Sequence, residues 1–246
     1  MSSEAGYFVA FEGTDGAGKA MIAREVANAL SSEQQKVVFL QKSHPPTDSG
    51  YAAYHFAKLR EILWEYEPTA PLATMGDRHW LLLIASWFHA FEHYAVQPRL
   101  ADGQTVIVDG WYYKYLARFL LKPGPIDHES QLAFRTLRTP DHVILLDVHP
   151  QTAEWRKTRV TASESGGLEN GGDTTVGGFI AYQSRVRDKL LTIKDTTWSV
   201  LSTDHISVQT VVERATQLVR AALQQQRTSE RSDSPAEMRA SLHAGR

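Results

Sequence analysis

Apolar and polar positions alternate between two periods along this chain. Short β-rich apolar runs recur at Tyr7–Phe11, Lys36–Leu40, Thr105–Val108, His142–Leu146 and Trp198–Leu201. Between them lie helical patterns at Met21–Leu30, Tyr54–Tyr66, Asp77–Gln97, Ser130–Leu137 and Ser207–Leu223. The last carries Val208, Val211, Val212, Ala215, Leu218, Val219 and Ala222, a wide stripe at helical spacing. Strands apolar on both faces, separated by helices, predict an α/β protein with a three-layer parallel sheet of about five strands flanked by helices. Ligands of such sheets sit at the carboxyl ends of the strands, which draws attention to Asp15, Asp109 and Asp147.

Two stretches break the pattern. Residues 160–178 are rich in Gly, Ser, Thr, Glu and Asp, which suits either a surface loop or a mobile lid. Residues 224–246 are polar and nearly devoid of large apolar side chains, so a disordered tail is expected after a single domain spanning 1–223. A formal net charge of −2 gives no whole-chain field for nucleic acid or a membrane surface. The absence of cysteine removes disulfides, thiolate metal sites and a cysteine nucleophile. With no basic, apolar leader at the N-terminus and no membrane-length apolar run, a cytoplasmic protein is expected.

The densest chemistry follows the first strand. Gly13-Thr14-Asp15-Gly16-Ala17-Gly18-Lys19 fits G-x-x-x-x-G-K between a strand and a helix, the context in which this pattern cradles phosphates. The candidate cradle is Gly13, Asp15, Gly16, Ala17, Gly18, Lys19, Ala20 and Met21, with backbone N–H groups converging at the positive end of the next helix. Lys19 would reach the β- and γ-phosphates of ATP. Ala20 stands where a Ser or Thr hydroxyl would ligate Mg²⁺. Asp109 ends an apolar strand, as a carboxylate holding Mg²⁺ through water would, with Glu12 as its partner for the metal.

Together with other segments, this loop resembles the thymidylate kinase family of P-loop nucleoside monophosphate kinases. Phe11-Glu12-Gly13-Thr14-Asp15-Gly16-Ala17-Gly18-Lys19 is similar to the family's F-E-G-x-D-G-x-G-K, and Asp77-Arg78 to the D-R opening its long central helix. Val106-Ile107-Val108-Asp109 resembles the strand entering D-R-Y, and Pro140-Asp141 through Asp147-Val148 resembles P-D-x-x-x-x-L-D-V. Arg156 and Arg159 resemble the arginines entering the lid, and Phe179 to Arg187 the segment after it.

The resemblance implies an ATP- and Mg²⁺-dependent kinase of a nucleoside monophosphate or nucleotide-like small molecule. In it Lys19, Asp15, Arg156 and Arg159 act on the transferring group, and Glu12, Asp15, Arg78 and Asp109 face the acceptor. A homodimer is a further family trait, and the Trp80, Leu83, Trp87, Phe91 stripe suits either a dimer face or the core.

The departures sit mainly on the acceptor side. Where the family has D-R-Y this chain has Asp109-Gly110-Trp111, which removes the arginine that would hold an acceptor phosphate. Ser43-His44-Pro45 stands for R-E-P, and Thr74 for the usual base-stacking aromatic. Lys114 and Arg118, one helical turn apart, offer replacement positive charge. Among Trp111, Tyr112, Tyr113 and Tyr115, one ring is expected in the acceptor pocket, with Trp111 as the candidate, and the others in the core. Ala20 and Gly110 also leave open a catalytically impaired nucleotide-binding protein, or a kinase of a nucleoside or specialised metabolite.

Overall fold

A computed structural model describes residues 6–31, 36–67, 70–166 and 175–232. Five strands, β1 (Tyr7–Glu12), β2 (Val37–Leu40), β3 (Thr105–Val108), β4 (His142–Asp147) and β5 (Trp198–Ser202), form one sheet in the order β2-β3-β1-β4-β5. Every pairing is parallel, with Val9 opposite Ile107 and Phe11 opposite Ile144. The predicted runs are these strands to within one residue at either end.

Side chains of period two divide the core between the two faces. Phe8, Ala10, Val106, Val108, Val143 and Leu145 meet α2 (Gly50–Trp64), α3 (Asp77–Phe91), α5 (Tyr113–Phe119) and α6 (Ile126–Phe134). Val9, Phe11, Ile107, Ile144 and Leu146 meet α1 (Lys19–Ser31) and the last helix. The other helices are α4 (Gln97–Ala101), α7 (Pro150–Trp155), α8 (Val176–Ile193) and α9 (Val208–Ser232). Each face thus buries its own apolar cluster, the larger one under α2, α3, α5 and α6, and burial on both faces is what fixes the strand register.

Three expectations change. The helix expected over Asp77–Gln97 continues to Ala101, but through a π-helical stretch at Glu92–Val96. Pro98 has no N–H to continue the ladder, and the Gln97 N–H instead reaches back to the Glu92 carbonyl. The tail expected to be disordered from 224 is helical to Ser232, because glutamine and arginine extend a helix well without an apolar stripe. Residues 233–246 lie outside the described residues. In the glycine-rich stretch, Ala162–Ser165 form a 3₁₀ turn, and Gly177 and Gly178 begin α8 behind the N-cap Thr175. The rest of the lid expectation, 167–174, also lies outside them.

The Trp80, Trp87 and Phe91 stripe is core, and Leu83 packs against it. No helix among the described residues is long and apolar enough to cross a membrane.

Candidate active site

The strand order reverses beside β1, where the chain leaves β1 for β2 through α1 on one face and leaves the adjacent β3 for β4 through α5 and α6 on the other. At that switch point β1 opens into the glycine loop, where a crevice forms outside the strand ends. Gly13 and Gly16 have φ of 150° and 87°, and a Cβ at Gly16 would lie 2.5 Å from the Ala153 carbonyl oxygen. Only glycine lets the loop run this close to its neighbours. Lys19 folds back over the loop, its Nζ donating to the carbonyls of Gly13 at 2.8 Å and Thr14 at 2.7 Å. Burial, followed by the charge of Lys114, pushes the Lys19 ammonium down to about 7. An anion placed in the loop would reverse that shift.

Two cavities open from the loop. One, of about 620 Å³, is lined by Gly16, Ala17, Gly18, Met21, Trp155 and Arg156, with Thr203, Ile206 and Val208 opposite. Its walls are chiefly apolar, and Arg156 is anchored by the Thr203 carbonyl at 2.8 Å. The other, of about 490 Å³, is lined by Asp15, Lys42, Arg60, Lys114, Arg118 and Arg159, with Trp64, Tyr66 and Tyr115 supplying aromatic faces. The two lid-entry arginines therefore serve different cavities.

Asp15 stands where the loop meets the polar cleft. Its Oδ1 receives the Lys114 ammonium at 2.5 Å, and both side chains are largely buried. Burial alone would raise the Asp15 carboxyl, but Lys114, Lys19 and Arg118 override it and hold it well below the usual range. Burial likewise opposes the Lys114 charge, and Asp15 wins, pushing Lys114 up. Arg118 donates from Nε to Tyr182 Oη at 2.8 Å and from Nη2 to the Ser163 carbonyl at 2.5 Å. Lys114 and Arg118 thus share one face of α5, and that face lines the cleft.

Gly110 has φ of 149°, and a Cβ there would come within 2.9 Å of Lys42 Cε and 3.1 Å of its Cδ. The Lys42 stem thus occupies the room a side chain at 110 would need. The Lys42 ammonium lies 5.2 Å from the centre of the Trp64 ring and 5.9 Å from that of Tyr115. Its backbone N–H is fixed by Asp109 Oδ1 at 2.7 Å. Lys42 is a cleft residue that motif reading missed, as are Arg60, Trp64 and Tyr66; the position of Lys42 two residues past the end of β2 was the available signal.

Glu12 is fully buried. Its Oε1 accepts from the Trp111 N–H at 2.9 Å, and its Oε2 has no hydrogen-bond partner among the described residues. Burial pushes this carboxyl up, against the pull of Lys19 and the Trp111 N–H. A buried carboxyl oxygen without a partner at the base of the loop is costly unless a cation or donor arrives there, so Glu12 could contribute one ligand to a metal set. Ala20 adds nothing to such a set, and no cluster of three or more His, Asp or Glu side chains suited to a metal exists among the described residues.

Three expected site residues lie elsewhere. Arg78 points outward, its side chain 71% exposed and paired with Glu129 of α6 at 2.5 Å. The inward face of α3 is taken by Trp80, Leu81, Ile84, Trp87 and Phe88, and Arg78 does not line the cleft. Trp111 is a core residue packed edge-on against Phe8 and Phe88, with its indole N–H on the Arg138 carbonyl. Tyr115 is the ring of that cluster that reaches the cleft. Asp147 holds Arg187 through two contacts of 2.5 and 2.7 Å, a structural pair.

A glycine loop at the end of the central strand of a parallel sheet, closed by a lysine, defines the P-loop class of nucleotide-dependent proteins. Within that class a family model for thymidylate kinase matches residues 11–215. The chain belongs to the thymidylate kinase family and is a kinase, a phosphotransferase. It is 30% identical over 158 residues to a thymidylate kinase of Pelodictyon phaeoclathratiforme, covering 63% of this chain and 67% of that protein. Against a thymidylate kinase of Lactobacillus delbrueckii subsp. bulgaricus it is 29% identical over 167 residues, with coverages of 67% and 74%. Against one of Xanthomonas oryzae pv. oryzae the identity is 31% over 147 residues, with coverages of 60% and 58%.

Proposed function

We propose that this protein transfers the γ-phosphoryl of ATP, with Mg²⁺, to a nucleotide-like acceptor held in the 490 Å³ cleft. The observation that carries the reading is the position of Asp15, at the junction of the glycine loop and a cleft walled by Lys42, Lys114, Arg118 and Arg159. In this reading the apolar cavity beside Gly16–Gly18 and Trp155 takes the donor's base, and the loop takes its phosphates.

Phosphoryl transfer asks for in-line positioning and charge neutralisation more than covalent help. Lys19 leaves the carbonyls of Gly13 and Thr14 for the β- and γ-phosphates. Asp15, held ionised by Lys114, is too weak a base to take a proton early; it accepts a hydrogen bond from the acceptor and sets its angle of approach. Lys42, filling the room beside Gly110, supplies the positive charge for the acceptor's anionic group, with Lys114 and Arg118 alongside. Arg159 reaches the same cleft and neutralises charge that develops during transfer. Glu12 and Asp109 would hold the magnesium, which supplies charge neutralisation on the phosphates when bound.

The acceptor is found by an ATP-consumption screen over nucleosides, nucleoside monophosphates and small phosphorylated or phosphonate metabolites, with product mass measured. Acceptor-dependent ADP with a product heavier by one phosphoryl group supports the reading. Ala20 carries the competing one, a nucleotide-binding protein without turnover: ATP bound but never consumed, whatever the acceptor, decides for it.

A further inference from the structure

Gln183, on α8, is a glutamine with no exposed surface, inside the Phe179–Arg187 segment, where motif reading assigns it no role of its own. Its side-chain oxygen accepts from the Asp15 N–H at 3.0 Å. Its amide nitrogen donates to Asp15 Oδ2 at 3.2 Å and to the Glu164 carbonyl at 2.7 Å. The orientation of the amide is forced. The Asp15 N–H can only donate, and the carboxylate and carbonyl can only accept, so oxygen must face the first and nitrogen the other two. Both donors and the acceptor are therefore in use. A side chain needed only for packing here would be apolar, since burying an amide is unfavourable unless each of its groups is paired.

The contacts of Gln183 join two parts of the cleft that are 149 residues apart in sequence, Asp15 of the glycine loop and Glu164 of the Ala162–Ser165 turn. A second bridge runs alongside. Tyr182, the neighbour of Gln183, receives Arg118 Nε, and Arg118 Nη2 holds the Ser163 carbonyl, next to the Glu164 carbonyl that Gln183 holds. The turn itself is closed by Glu164, whose carboxylate accepts from the Thr161 N–H at 2.9 Å and pairs with Lys157 at 2.8 Å. Ser163 and Glu164 line the cleft with Asp15.

We propose that Gln183 is a positioning residue: its buried amide ties Asp15 to the Ala162–Ser165 turn, so the aim of the carboxylate into the cleft depends on where that turn sits. This rests on the role given above to Asp15. One oxygen of Asp15 is fixed by Lys114 from α5 and the other by Gln183 from α8, which removes rotation about its last bond. Constellations of this kind must be held to a fraction of an ångström, and their supporting residues matter nearly as much as the groups that touch substrate.

Two full-length variants test it. Gln183→Met keeps the length of the side chain and removes both arms. Gln183→Glu keeps an oxygen toward the Asp15 N–H and turns the donor side into an acceptor facing two acceptors. Amide hydrogen exchange, read by mass spectrometry, is expected to quicken about tenfold across 162–166 in both variants and at Asp15 in Gln183→Met, the factor set by losing one such hydrogen bond, whereas Gln183→Glu keeps the acceptor of the Asp15 N–H. For any acceptor the wild type phosphorylates, kcat falls roughly 10- to 100-fold while the KM for ATP stays within about twofold.

Exchange at Asp15 and at 162–166 that matches wild type in both variants overturns the proposal. So does a fall in kcat no larger than the fall in folded fraction measured by thermal melting. If the wild type phosphorylates no acceptor, the kinase reading fails, and the exchange experiment still decides whether Gln183 tethers Asp15 to the turn.

Discussion

Replacing Lys114 by methionine isolates the ion pair on which the cleft is built. Asp15 and Lys114 meet at 2.5 Å with side chains only 14% and 9% exposed. A solvated pair contributes about 0–1 kcal/mol, whereas removing one partner of a buried pair costs about 3–5 kcal/mol, because a charge is left behind in a poor medium. Gln183 still donates to Asp15 Oδ2 in the variant, and Lys19 and Arg118 still act on the carboxylate, so the lower end applies, about 3 kcal/mol. For a chain of this size that lowers Tm by roughly 6–12 °C. Adding Asp15→Asn to Lys114→Met removes the stranded charge and should return stability to within about 1 kcal/mol of wild type.

Urea unfolding at pH 7 of the wild type, both single variants and the double variant gives the coupling energy directly. The pH dependence has a fixed sign. The Asp15 carboxyl is held below its unfolded value of 3.8, so the stabilisation from the pair is fully present above pH 4 and is lost as pH falls below it. Single variants that each lose less than about 1 kcal/mol, with the double variant showing their sum, would mean that Asp15 and Lys114 form a solvated contact and not a buried pair.

Other outcomes follow from the same geometry. Lys19→Ala should remove phosphoryl transfer, and full turnover in that variant, followed by ADP release, contradicts the kinase reading. Because Lys19 sits at about 7 in the free protein and a triphosphate would raise it, ATP binding should take up a proton above pH 7. ATP affinity should then weaken by up to about tenfold per unit as pH rises further; calorimetry in two buffers of different ionisation enthalpy measures the uptake. Ala20→Ser restores a hydroxyl at the loop and should lower the magnesium concentration needed for half-maximal turnover; an unchanged titration argues against metal at that position. Gly110→Ala puts a Cβ against the flexible end of Lys42 at a φ that disfavours side chains, so the acceptor KM should rise with the ATP KM unchanged, as steady-state kinetics would show.

The sheet was legible because each strand is a short apolar run between helical patterns, and parallel pairing buries both of its faces. The glycine loop was legible because its chemistry is local, with seven consecutive residues forming one turn. The cleft was less so, since its parts come from separate elements and are chosen by orientation. Arg78 matches a motif by position, yet its helix turns it toward Glu129. Trp111 and Tyr115 differ by four residues in an aromatic run, and only packing decides that the first joins Phe8 and Phe88 while the second faces Lys42. Lys42 became visible only with the backbone at Gly110, and Gln183 only with the carbonyl of Glu164 beside it. The helix continuing past Leu223 was missed because a polar run was read as disorder, although its residues favour a helix once a packed stripe has started one.

In the proposed reaction the charged cleft beside Asp15 holds the acceptor that receives a phosphoryl group from ATP bound in the glycine loop. The direct measurement uses ATP carrying an isotopic label on its γ-phosphoryl, incubated with the wild type, Lys19→Ala and Lys42→Met in the presence of the screened acceptors, with the products weighed. The wild type should leave a labelled phosphoryl on an acceptor, Lys19→Ala none, and Lys42→Met a raised acceptor KM. Label that stays on ATP, or appears only as inorganic phosphate whatever the acceptor, contradicts the proposed reaction.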